Sequence, residues 1–89
     1  MKIQLELFGA SKDFSKNDFL EFNFNEKSSI KDLRKQMIDF VDSNFKGNET
    51  FKKIIKSSAF CSSDDKIVSD NYKIVKKQNF SIIPPIGGG

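Results

Sequence analysis

The residues best placed to do chemistry are the last six, Pro84-Pro85-Ile86-Gly87-Gly88-Gly89. A proline pair holds φ near about −65° and cannot extend a central ladder, so it ends the preceding strand and projects the residues after it away from the body. The three glycines carry no Cβ, and such a backbone passes through a channel that any side chain would block. A carboxylate at that tip can reach a buried active site. Polyglycine at a terminus is often only frayed chain. Here it comes directly after an apolar, strand-like run, Phe80-Ser81-Ile82-Ile83, with no polar linker between, so a folded domain is expected to aim it.

The remaining residues offer little chemistry of their own. No histidine is present, which removes the usual general base, the usual metal ligand and the partner a cysteine nucleophile would need. One cysteine and no histidine argue against a zinc site. Asp64-Asp65 lies in a Ser/Asp-rich stretch and reads as a turn rather than a catalytic carboxylate pair. Cys61 falls in a short strand-like run and reads as a small apolar core residue rather than a sulfur relay. Self-contained catalysis is not expected, and neither is a bound cofactor.

Eighty-nine residues make one domain, a size that buries roughly 60–65% of its unfolded surface. With 37% hydrophobic and 30% charged residues the composition is globular, and ten phenylalanines can fill a core. The unpaired cysteine fits a reducing compartment. The alternating start, Met1-Lys2-Ile3-Gln4-Leu5-Glu6-Leu7, does not read as a signal peptide, and no transmembrane stretch is expected. A cytoplasmic protein without a membrane partner is the expectation. Net charge is +3, with basic residues scattered among acidic ones, which reads as solvated surface rather than a nucleic-acid site.

The elements that must position the tail are set by periodicity. Ile3, Leu5 and Leu7 on one phase, then Leu20, Phe22 and Phe24 against Glu21, Asn23 and Asn25, predict two strands of a hairpin joined by a loop. Ile30, Leu33, Met37, Phe40 and Val41 show helical spacing, which predicts a helix over 29–45. Ser29 and Asp32 form a capping-box-like start and Gly47 the stop. Asn48 can cap a short second helix carrying Phe51, Ile54 and Ile55. Residues 59–61 and 66–69 read as short strands around a turn at 62–65, residues 71–75 as a connecting segment, and 79–83 as the final strand. A sheet covered by one long helix buries both apolar stripes. The expected fold is α+β, a ubiquitin-like β-grasp: a mixed sheet of about five strands on one main helix over residues 1–83, with a flexible glycine tail over 84–89.

Hairpin, capped helix and a last strand running into Ile82-Ile83-Pro84-Pro85-Ile86-Gly87-Gly88-Gly89 resemble the small sulfur-carrier subunit of molybdopterin synthase, the MoaD family. That family shows two apolar residues, two prolines, a variable pair and a diglycine; Gly87 takes the second variable position here. The resemblance implies a carrier without catalytic side chains of its own. A MoeB-like activating enzyme would use ATP to adenylate Gly89, sulfur would replace AMP to give a thiocarboxylate, and the tail would enter a MoaE-like large subunit. Gly87 and Gly88 would keep the approach narrow, with Pro84, Pro85 and Ile86 contacting the partners. The same chemistry serves carriers for thiamin, tRNA thiolation or cysteine synthesis, and adenylation alone also fits a ubiquitin-like protein modifier. A passive interaction module with an irrelevant tail is the third class.

Phase gives a docking surface independently of the family. Phe8 lies in register with Gln4 and Glu6 and is expected to point outward, and Ile83 outward with Ser81. In a β-grasp sheet the first and last strands are parallel neighbours, which brings Phe8 and Ile83 together at the base of the tail, with Ile67 as a third member that the family also uses for partner contact. Three departures from the family stand out: Lys76-Lys77-Gln78 replaces a glycine-containing turn, residues 42–56 look longer than in compact members, and the net charge is positive.

Overall fold

Every second residue of β1, Lys2–Leu7, is buried: Ile3, Leu5 and Leu7 face inward while Lys2, Gln4 and Glu6 face solvent. The computed structural model describes residues 1–24 and 27–85. Asn25 and the tail residues Ile86, Gly87, Gly88 and Gly89 therefore lie outside the described residues. Strand β2, Phe19–Asn23, pairs antiparallel with β1, setting Ile3 opposite Phe22 and Leu5 opposite Leu20.

The connection between them is ordered, where the sequence suggests a plain loop. Gly9 adopts φ +55°, a left-handed conformation that suits glycine, and opens a 3₁₀ segment over Gly9–Phe14. Ser11 locks it: its buried hydroxyl donates to the Phe8 carbonyl at 2.6 Å and accepts the Phe8 N–H at 3.0 Å. Phe14 then drops into the core.

Helix α1, Ile30–Asn44, begins as its sequence dictates. The Asp32 N–H donates to Ser29 Oγ at 3.3 Å, and the Ser29 N–H donates to Asp32 Oδ2 at 2.9 Å. These bonds from Ser29, backbone first and hydroxyl second, hold the Asp32 carboxyl below its ordinary value of 3.8. The helix stops where Lys46 (φ +53°) and Gly47 (φ +69°) turn left-handed and the Gly47 N–H returns to the Val41 carbonyl. Asn48 caps α2, Glu49–Ser57, by accepting the Phe51 N–H at 3.1 Å.

Strands β4 (Ala59–Ser62), β5 (Ile67–Val68) and β7 (Gln78–Ile83) complete a five-stranded sheet of order β2-β1-β7-β4-β5, in which β1 and β7 are parallel and the other neighbours antiparallel. The segment 71–75, expected only to connect, contributes a strand: β6, Lys73–Ile74, pairs with β3, Ser28–Ser29, just before the helix. The bend before β7 needs no positive φ at Lys76 or Lys77, so it forms without glycine.

The core joins Ile3, Leu5, Phe60, Phe80 and Ile82 of the sheet to Leu33, Met37 and Val41 of α1 and Ile55 of α2. Phenylalanines extend it as a chain of rings, Phe22–Phe40–Phe45–Phe51–Phe14, with successive centroids 6.3, 5.9, 4.9 and 5.1 Å apart, the tilted and edge-to-face spacing that aromatic pairs prefer. A mixed sheet gripping a central helix, with its last strand inserted beside its first, is the β-grasp arrangement. Among the described residues, no helix is long and apolar enough to cross a membrane.

Candidate functional site

The tail leaves the domain from the end of β7, and the residues at that exit define the site. Pro84 is buried and Pro85 exposed. A Cβ built on Gly9 would come to 3.9 Å from the Pro84 ring, so the start of the 3₁₀ segment packs against Pro84 at ordinary contact distance. Of the two rings, Pro85 is the one open to a partner. Beside the pair lies an open cavity of about 360 Å³ between the 3₁₀ segment and α2, with Ala10, Ile54 and both prolines as its apolar wall and Lys53 as its cation.

The solvent face of the sheet meets this exit. Phe8 keeps extended backbone angles (φ −129°, ψ 154°), so it continues the alternation of β1 on the side of Gln4 and Glu6. Leu7 pairs with Ile82, and one step further the parallel register sets Phe8 beside Ile83. Both are 41% exposed. Ile67, 76% exposed, lies on the same face: it pairs with Cys61, which pairs with Ser81, two residues before Ile83. Ile67 is therefore two strands across and two residues along from Ile83, roughly 12 Å at the usual strand spacing and rise. Large exposed apolar side chains gathered near the end of the last strand form the kind of surface that docks a partner.

Cys61 departs from the expected core position. In β4 it is Phe60 and Ser62 that point inward, which turns Cys61 to the solvent face, half-buried between Ser81 and Ile67. No group of three or more metal-ligating side chains occurs among the described residues. Away from the exit the same face is polar: Gln4, Glu6, Asn79 and Ser81 occupy it, and Lys2 pairs with Glu21 at 3.2 Å.

Nothing in the sequence points to the cavity under the proline pair. Ala10, Lys53 and Ile54 come from segments more than 40 residues apart, and only the tertiary fold brings them to the tail. Nor does any motif single out Arg34. Its guanidinium donates to the carbonyls of Ile55 at 2.6 Å and Ser58 at 3.0 Å, pairs with Asp70 at 2.8 Å, and lies 4.8 Å over the Phe60 ring, tying α1 to the end of α2.

No protein-family model matches the chain, and no curated protein matches it in sequence. Solved structures do. SAMP1 from Haloferax volcanii superposes with a TM-score of 0.69 at 10% identity, covering 100% of each chain. A candidate molybdopterin converting factor, subunit 1, from Pyrococcus furiosus gives 0.67 at 16% identity, covering 96% of this chain and 98% of that one. In a complex of subunits 1 and 2 of the molybdopterin-converting factor from Helicobacter pylori, the matched chain gives 0.53 at 17% identity, with 100% of both covered. At such low identities the likeness is one of architecture: this chain has the ubiquitin-like β-grasp fold that these three proteins share.

Proposed function

We propose that this protein is a sulfur carrier of the molybdopterin-synthase type, whose reactive group is the main-chain carboxylate of Gly89. The observation that carries the reading is the run Ile82-Ile83-Pro84-Pro85-Ile86-Gly87-Gly88-Gly89, which leaves the central β7 of a β-grasp sheet beside the exposed pair Phe8 and Ile83. The likeness to two molybdopterin converting factor chains supports the same pathway, and the complex of subunits 1 and 2 supports a MoaE-like large subunit as partner.

A carboxylate is a poor acyl donor. In the proposed cycle a MoeB-like enzyme lets the Gly89 carboxylate attack the α-phosphate of ATP, releasing pyrophosphate and leaving a mixed anhydride with AMP. A sulfur nucleophile then attacks the acyl carbon and AMP departs, giving the thiocarboxylate. Both steps require a water-excluding pocket in the partner. Phe8, Ile83 and Ile67 would seat the domain, and Pro85 and Ile86 would line the entry. ATP is consumed in the partner's site, and no cofactor is assigned to this chain.

Incubation with the activating enzyme, ATP and a sulfide source tests this by intact mass. The expected product is heavier by the exchange of one oxygen for one sulfur, and Gly89→Ala sharply reduces it while the fold is unchanged. Normal product from the variant overturns the reading. A second reading, a ubiquitin-like protein modifier, draws on the likeness to SAMP1. It shares the adenylate but ends in a covalent adduct with another protein, and the same mass measurement separates the two.

A further inference from the structure

Two thirds of the net charge of this chain gather around one cavity on the helical side. Its volume is about 500 Å³, and it is framed by the first turns of α1, the end of α2 and the turn before β6. Four cations, Lys31, Arg34, Lys35 and Lys56, face two carboxylates, Asp32 and Asp70. That excess of two compares with +3 for all 89 residues.

Both carboxylates already have partners. Asp32 accepts from the N–H and the hydroxyl of Ser29, and Asp70 accepts from Arg34. Arg34 Nη1 is engaged in turn by the carbonyls at the end of α2, while its buried Nε has no partner among the described residues. Among the described residues Lys31, Lys35 and Lys56 make no salt bridge, and all three are exposed.

Helix electrostatics accounts for Lys56, in the last turn of α2, and for Asp32, in the first turn of α1, but not for the cations of α1. The N-terminal turns of a helix favour anions and the last turn favours cations. In α1, Lys31, Arg34 and Lys35 lie in the first turns beside Asp32, and no basic residue lies in the last. The cavity wall also carries Ile38, half-buried, so the cations surround an apolar contact. Phe60 is covered by Arg34 and fully buried, so no aromatic face is open for a base to stack on.

We propose that this cavity docks a carboxylate-rich segment of a partner protein that carries a large apolar side chain for Ile38. The segment's carboxylates would engage Lys31, Lys35 and Lys56. The site uses a different face of α2 from the tail exit, which takes Lys53, Ile54 and Ser57. A partner can therefore hold the domain here while the tail is engaged elsewhere, and the proposal does not depend on what the tail carries.

Amide chemical shifts of the full chain, titrated with a synthetic Asp-Asp-Glu-Leu-Asp-Glu-Ile peptide, provide the test. Shifts are expected to cluster at Lys31, Lys35, Ile38, Lys56 and Asp70, and binding should weaken with added salt. The same peptide with every carboxylate made an amide should bind at least about ten-fold more weakly. The triple variant Lys31→Glu, Lys35→Glu, Lys56→Glu should abolish binding. A triple variant with the same charge change elsewhere, Lys12→Glu, Lys16→Glu, Lys77→Glu, should retain it. Lys35→Gln with Lys56→Gln, which reverses no charge, should give intermediate loss in a spectrum that remains dispersed. Absent or unlocalised shifts, equal loss in both triple variants, or tighter binding of a single-stranded oligothymidylate of equal charge would each overturn the proposal.

Discussion

The two faces of the five-stranded sheet obey opposite rules. On the face covered by α1 and α2, Ile3, Leu5, Phe60, Phe80 and Ile82 are buried, each held by neighbours from another element. On the open face polar residues dominate until the exit of β7, where Phe8, Ile83 and Ile67 stand in solvent. Apolar area on the first face is removed from water by folding itself, and on the second only another molecule can remove it. Burial separates residues kept for the fold from residues available for recognition.

Substitutions can break or sharpen that contrast. The largest effect is expected from Phe60→Ala, which empties the contact between β4, β7 and Arg34: urea unfolding should show a loss of about 3–5 kcal/mol. Arg34→Ala, at a side chain 19% exposed, leaves the last carbonyls of α2 without their donor, and a loss of about 2–3 kcal/mol is expected from charge-assisted hydrogen bonds of this kind. Arg34→Lys should recover only part of it, because an ammonium cannot span Ile55, Ser58 and Asp70 together.

Ser29→Ala should cost about 1 kcal/mol through the lost cap, and the pH dependence supplies a sign. Asp32 titrates lower in the folded state than its ordinary value of 3.8. Its contribution is therefore present above that value and is lost as pH falls through the folded pKa. In the Ser29→Ala protein this acid-side loss should shrink in a comparison of melting temperature against pH. Smallest in stability is Phe8→Ser, expected to change unfolding by under about 1 kcal/mol while measurably weakening capture by both the activating enzyme and the large subunit. A large stability loss instead would place Phe8 with the core, and the contrast between the faces would fail there.

The features legible in the sequence are local. Period-two runs identify β1 and β7, the Ser29–Asp32 pair marks the start of α1, and counting phase turns Phe8 and Ile83 outward. The features that stay hidden depend on distant partners. The β3–β6 ribbon pairs Ser28 with Ile74 across 45 intervening residues, and two-residue strands show no alternation. Ser11 secures the 3₁₀ segment by a side-chain bond to the backbone of Phe8, which no hydrophobic pattern announces. Arg34 reaches carbonyls 21 and 24 positions away. Cys61 reads as a core residue because β4 is too short to reveal its phase, and only the burial of Phe60 and Ser62 sets it facing solvent.

The central place of β7 has a consequence for biosynthesis. It lies between β1 and β4, so without it the sheet separates into β2–β1 and β4–β5, two fragments with no shared ladder. A nascent chain can therefore close its domain only after residues 78–83 have been synthesised. Truncated products should remain unfolded and open to proteolysis. Passing quality control then certifies that the stem leading to the glycines has been made.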